Sequence, residues 1–231
     1  MTHTYHYLKE YIPVRYQGLS TQQINDRKDV FNFKDGNTPA SVKSGLLSKV
    51  WTIIEGNKSD WVICFIPAST KSKTYNRYSS VALYLSHESG CDVYIDAIEK
   101  TIDSEAGHVS GKSSDPTANF RINKERIKGK NVILIDDVIT RGRTFEDTAS
   151  KLESTGANKV IGLFVAKTIH PDLPHTDSRN GSHVYFHDED MFEDYLAEQA
   201  LEEMAMEEQM IEEQYYEEGC YEDFCEEDIY R

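Results

Sequence analysis

The sequence contains no run of roughly 18 apolar residues, the length a helix needs to cross a bilayer, so no membrane span is expected. Its opening, Met1-Thr2-His3-Thr4-Tyr5, has neither the basic nor the apolar region of a secretory signal, and no leader is expected. Cysteine is scarce. Cys64, Cys91, Cys220 and Cys225 are the only four in 231 residues, and none forms a Cys-x-x-Cys pair. That argues against a disulfide framework or a zinc site and fits a reducing, cytoplasmic setting. Basic residues are nearly absent from residues 188–231, which hold 19 of the 40 acids and one base, Arg231. The net charge of −15 is therefore a property of this appendix; residues 1–187 carry 21 acids and 24 bases, a net of +3. A mildly basic body suits a polyanionic small-molecule substrate, while an acidic tail opposes DNA or RNA, so no nucleic-acid binding is expected.

The tail repeats acidic pairs every five residues: Glu202-Glu203, Glu207-Glu208, Glu212-Glu213, Glu217-Glu218, then Glu222-Asp223. A step of five turns about 500° around a helix, which spreads the acids over every face and leaves no apolar stripe. Residues 188–231 are expected to be an acidic, low-complexity, disordered tail. Met204, Met206, Met210, Tyr215, Tyr216, Tyr221 and Phe224 are interleaved with the acids and could contact a basic partner. A purely solubilising role is the simpler reading.

What the chain does have is concentrated in residues 132–144. Val132-Ile133-Leu134-Ile135 reads as a buried central strand of a parallel sheet. Asp136 and Asp137 follow at once, where two carboxylates are tolerable only at the strand's exposed end. Thr140-Arg141-Gly142-Arg143-Thr144 then supplies small residues, hydroxyls and bases before a helix expected from about Thr144 to Thr155, capped by Gly156, with Thr144 and Asp147 approximating a capping box. Backbone amides and hydroxyls in such a loop can cradle a phosphate, and two arginines can reinforce the grip or point outward. Ionised aspartates suit sugar hydroxyls or a hydrated Mg²⁺ and would repel phosphate. Donors at one end and paired acceptors at the other call for a phosphorylated sugar.

After the strand Trp61–Ile66 the cations read, taken alone, as a solvated turn; beside the Asp136-Asp137 motif a second anion site is expected there. Ser69 and Thr70 can donate, Lys71 and Lys73 can neutralise, and Arg77 follows near the start of a helix with Val81, Ala82 and Leu85 on its apolar face. Thr38 and Pro39 read as the N-cap and first residue of another helix, with Val42, Leu46, Val50 and Ile53 on one face and an end near Gly56. Further strands are expected at Val93–Ile95 and Val160–Ala166. Residues 1–37, with Tyr5–Leu8 and Asp29–Phe33, read as short strands or irregular structure forming a small cap, and residues 38–187 as the α/β domain. The polar stretch from Glu99 to Gly129 reads as a lid or disordered segment; His108 and Lys112 could come down with it, and His108 is assigned no catalytic role.

The order of strand, acidic pair, two apolar residues and Thr/Gly/Thr loop resembles the phosphoribosyl pyrophosphate (PRPP) motif of type I phosphoribosyltransferases. Phe65-Ile66-Pro67, the Arg77 helix, Gly129-Lys130-Asn131 and Asp136–Phe145 resemble most the ComF-like, amidophosphoribosyltransferase-like group, although its amino-terminal zinc cysteines have no counterpart here. The resemblance covers roughly residues 60–170. It implies a Rossmann-like parallel sheet flanked by helices, with an N-terminal hood and an acidic tail. It also implies that Asp136 and Asp137 hold the ribose and act catalytically, and that Thr140, Arg141, Gly142, Arg143 and Thr144 hold the 5-phosphate. Ser69, Thr70, Lys71, Lys73 and Arg77 would hold the pyrophosphate. Mg²⁺ would be held mainly by PRPP, with Asp136 able to join it. The implied reaction transfers the phosphoribosyl group to an unidentified, nitrogen-bearing acceptor with release of pyrophosphate; a homodimer is allowed. A catalytically silent PRPP sensor or partner-binding protein is the alternative, and a phosphoribohydrolase a further enzyme reading.

Overall fold

The computed structural model describes residues 2–101 and 117–170. Their centre is a five-stranded, all-parallel sheet in the order β1-β7-β6-β2-β3, built from Tyr5–Tyr11 (β1), Trp61–Phe65 (β2), Asp92–Tyr94 (β3), Asn131–Ile139 (β6) and Lys159–Thr168 (β7). Side chains alternate across a strand, and each face here has its own core. Odd-numbered Trp61, Ile63, Phe65, Ile133, Ile135, Ile161, Leu163 and Val165 join the helices Thr21–Lys34 (α1), Ala40–Ile53 (α2) and Lys71–Ser89 (α3). Even-numbered Val62, Cys64, Val132, Leu134, Val160 and Phe164 join the short helix Lys124–Ile127 (α4) and the helix Arg143–Thr155 (α5). This is the α/β sheet flanked by helices that the sequence implied.

The helical faces follow the 3.6-residue period. α5 buries Phe145, Thr148, Ala149 and Leu152, and α3 buries Thr74, Tyr78, Val81, Ala82 and Leu85. Each large side chain removed from water contributes about 1.5–3 kcal/mol. Helix ends differ from expectation in detail. α2 starts at Ala40 with Pro39 as N-cap and stops at Ile53, and the Thr38 hydroxyl is buried without a partner instead of capping. α5 starts at Arg143, and its N-cap Gly142 makes no side-chain cap bond; no Thr144–Asp147 box forms because both residues already lie inside the helix.

Residues 1–37 depart furthest from the expected cap. Tyr5–Tyr11 pairs in parallel with β7 as an edge strand of the main sheet, and Asp29–Phe33 lies in α1. That helix buries only Val30 and Phe33, so its apolar period is nearly silent. Its start is marked instead by a capping box: Gln23 N–H donates to the Ser20 hydroxyl, and Ser20 N–H donates to the Gln23 side chain. Lys9 on β1, 2.7 Å from Asp26 and 2.5 Å from Asp29, ties α1 to the sheet. The polar stretch is structured at its ends, where Ile98–Lys100 (β4) and Phe120–Ile122 (β5) pair antiparallel. Residues 102–116, with His108 and Lys112, and the acidic tail lie outside the described residues.

Candidate functional site

After β2 the chain crosses by α3 on one face of the sheet to β3; after β6 it crosses by α5 on the other face to β7. β2 and β6 are neighbours, so their C-terminal ends flank the point where strand order reverses. Open α/β sheets bind ligands in that crevice. The two loops singled out in the sequence, 67–70 and 140–142, follow these neighbouring strands, whose pairing ends with an Ile66 N–H to Ile135 carbonyl bond of 3.0 Å.

Asp136 and Asp137 lie inside β6, which runs to Ile139, and not beyond its exposed end. Two sets of donors make that tolerable. Asp137 is only 8% exposed; its Oδ2 accepts from Arg77 Nη1 at 2.6 Å and its Oδ1 from Val138 N–H at 2.5 Å. Asp136 Oδ1 accepts from Asp137 N–H at 2.8 Å and lies 2.9 Å from the Tyr78 hydroxyl, which is also 2.9 Å from the Ile66 carbonyl. Burial pushes the Asp136 carboxyl up to about 7, helped by the charge of Asp137 and opposed by Arg77. One carboxylate is thus neutralised by an arginine, and the other rests near the edge of ionisation. Arg77, also over the face of Tyr78 at 5.8 Å, keeps a buried Nε without a hydrogen-bond partner.

The loops are held by their own hydrogen bonds. Thr70 caps α3, its hydroxyl accepting from Lys73 N–H at 3.1 Å, and Ala68 N–H donates to Thr74 at 3.0 Å. Lys71 and Lys73 consequently sit in the first helical turn and not in a loop; Lys71 is largely exposed, 3.3 Å from Glu99. Ser69 is half-buried beside them. Arg77 belongs to the second turn, where it meets Asp137 instead of standing at the helix start. In the second loop Thr140 and Thr168 share a hydroxyl–hydroxyl bond of 2.8 Å, fastening the loop to the end of β7. Gly142 turns the chain at φ 73°, and Thr144 is half-buried in the first turn of α5. Arg141 and Arg143 are exposed, Arg143 3.7 Å from Asp147, while the backbone and hydroxyls of the loop lie inward of them.

Sequence reasoning missed Tyr78 as a polar partner, Thr168, Glu146 and the glycine of β7, Gly162. A tyrosine on an apolar helix face reads as core, and what its hydroxyl touches depends on another strand. The tail of β7, Lys167-Thr168, carried the one visible signal, a polar pair closing an apolar run.

A phosphoribosyl transferase domain model matches residues 71–193, more than half of the chain. The chain belongs to the phosphoribosyl transferase domain family. A bifunctional protein PyrR from Ligilactobacillus salivarius (strain UCC118) is 27% identical over 135 residues, 58% of this chain and 75% of that protein. Among solved structures, the allosteric regulatory enzyme of purine biosynthesis is similar with a TM-score of 0.39 and 17% identity; 58% of this chain is covered, and only 30% of that enzyme. Adenine phosphoribosyltransferase from Saccharomyces cerevisiae is similar with a TM-score of 0.33 and 19% identity, covering 56% of this chain and 70% of that one. No helix among the described residues of this phosphoribosyl transferase domain protein is long and apolar enough to cross a membrane.

Proposed function

We propose that this phosphoribosyl transferase domain protein binds Mg-PRPP and transfers its phosphoribosyl group to a nitrogen-bearing acceptor, releasing pyrophosphate. The observation that supports the reading is that two loops of small, hydroxylated and basic residues follow the neighbouring strands β2 and β6, with Asp136 and Asp137 near the end of β6. Thr140, Gly142, Thr144 and the loop amides take the 5-phosphate, with Arg141 and Arg143 adding charge at the rim. Ser69, Thr70, Lys71 and Lys73 take the pyrophosphate. Arg77 reaches that anion only by leaving Asp137, so in the geometry described it acts first by neutralising one carboxylate, which lowers the repulsion a polyanionic substrate meets. Asp136 and Asp137 accept from the ribose hydroxyls and stabilise positive charge as the C1–O bond breaks and the C1–N bond forms. The residue motifs quoted above favour the ComF-like group within the family.

Among the described residues no three His, Cys, Asp or Glu side chains converge as a metal cage. Two carboxylates beside phosphate cradles fit Mg²⁺ held mostly by substrate oxygens, with Asp136 as protein ligand. Bound there, the ion would offset the charge gathering on the departing pyrophosphate.

Calorimetric titration of PRPP is expected to show Mg²⁺-dependent binding that is lost in Asp136→Asn. Equal affinity in the variant would overturn the assignment. Pyrophosphate release with nitrogenous acceptors separates transferase from silent sensor, and release with water alone identifies a phosphoribohydrolase. Gly142→Ala supplies an independent check. A side chain at φ 73° costs about 1–2 kcal/mol and pulls the loop amides off the phosphate, so PRPP affinity should fall while urea denaturation reports a modest loss of stability.

A further inference from the structure

The first turn of α5 is gripped from outside the site by the segment that leads into β1. Glu146, four residues past Gly142, accepts four bonds from two consecutive residues: Thr2 N–H at 2.8 Å, the Thr2 hydroxyl at 2.7 Å, His3 N–H at 3.2 Å and His3 Nδ1 at 2.7 Å. The other ring nitrogen, His3 Nε2, lies 3.3 Å from Glu153 Oε2, two turns along the same helix. A neutral imidazole has one N–H and cannot donate to both carboxylates; an imidazolium can. The ring also packs edge-on against Phe145, centroid to centroid 6.0 Å, so His3 touches three residues of one helix.

We propose that Thr2 and His3 are positioning residues for the phosphate cradle, clamping the first turn of α5 through a charged His3 bridging Glu146 and Glu153. This rests on the PRPP reading of the cradle and adds a control on it. The helix has no side-chain N-cap of its own, and Gly142 sits in the left-handed region, so the loop amides take their direction from wherever the first turn is held. The clamp supplies that restraint at a point the ligand does not touch.

The direction of its pH dependence follows from the groups around it. Burial lowers the His3 pKa, but hydrogen bonds to Glu146 and Glu153 and their charges outweigh that and raise it above its ordinary value of 6.5. For Glu146 burial works upward, and the bonds from Thr2 and His3 overcome it, holding the carboxyl down to about 2. Both charged groups facing His3 come from α5; β1 contributes Tyr5, whose ring meets the same Phe145 edge-on at 6.5 Å. A histidine with a raised folded pKa contributes fully below its unfolded value and is lost as pH rises through the folded one. The clamp is therefore fully closed below pH 6.5 and loosens as pH rises through the raised His3 value.

The test compares the full chain with His3→Gln and His3→Arg by calorimetric PRPP titration at pH 6 to 9 in the presence of Mg²⁺, together with amide hydrogen exchange of residues 143–147. At the acidic end His3→Gln should bind PRPP about tenfold more weakly, the size of effect expected when a binding group is slightly misplaced. The two Kd values should converge as pH rises. His3→Arg, which can still bridge both glutamates, should keep tight binding across the range. Exchange at 143–147 should be faster in His3→Gln than in the native chain at pH 6. Unchanged exchange, or a Kd ratio that does not vary with pH, overturns the clamp. If the native chain binds no PRPP, the reading of the site falls, and the exchange comparison alone still decides whether His3 holds α5.

Discussion

Asp137→Asn is expected to destabilise the fold by about 3 kcal/mol, whereas Asp136→Asn, one residue earlier, is expected to stabilise it at pH 8 by about 2 kcal/mol. The opposite signs follow from what each carboxylate touches. Asp137 is the counter-charge of Arg77, whose side chain is only 18% exposed; without it a guanidinium is left in a poorly solvated position. Removing one member of such a pair costs more than the pair contributes. Asp136 is the reverse case. Burial, then the charge of Asp137, lifts its carboxyl to about 7, against an ordinary value of 3.8. The folded state therefore holds a proton that the unfolded chain releases between those values, and stability falls as pH rises through that interval. An asparagine keeps the acceptor for Tyr78 and Asp137 N–H and removes the charge. Urea denaturation at pH 5 and pH 8 reads both effects: the gain in Asp136→Asn should grow with pH. Both variants should lose PRPP binding. A stabilising Asp137→Asn would mean that Arg77 does not depend on Asp137 as its counter-charge, and a destabilising Asp136→Asn at pH 8 would mean that burial does not penalise the Asp136 charge.

Gly162→Ala is expected to cost about 2 kcal/mol and to weaken PRPP binding, although Gly162 lies in the middle of β7 and away from the cradle. A Cβ there would stand 2.7 Å from Phe164 Cε2 and 2.8 Å from Phe145 Cε2 and Cζ. Both rings are about 1% exposed and meet edge to face at 5.4 Å between centroids, so neither has space to retreat into. Phe145 is the third residue of α5; whatever moves its ring moves the turn that follows Gly142. Thermal unfolding measures the first effect and PRPP titration the second. Phe145→Leu introduced into Gly162→Ala should recover part of both, since it removes two of the three atoms the new methyl meets, leaving Phe164 Cε2. No recovery of affinity would show that the cradle does not depend on this contact.

Much of the fold was written in local pattern. Continuous apolar runs marked β2, β6 and β7, and the 3.6-residue period marked α2, α3 and α5, because those elements bury enough surface for burial to impose its spacing. β1 and α1 were obscure for the opposite reason: an edge strand has one protected side, and α1 hides two residues. The two loops stood out from residue type alone, since each sets small, hydroxylated and basic residues directly after a buried strand.

What the sequence by itself determined is the segments β2, β6, β7, α2, α3 and α5, the family motif and the location of charge along the chain. Adjacent, identical Asp136 and Asp137 could not be told apart that way. Their difference is decided by Arg77 and Tyr78, about sixty residues distant, which β2–β6 pairing and the packing of α3 bring to the end of β6. The clamp of Thr2 and His3 on α5 is likewise a product of β1 pairing with β7. Propensity and periodicity act over a few residues, whereas the ionisation of a carboxylate and the anchoring of a loop depend on neighbours that only the assembled sheet selects.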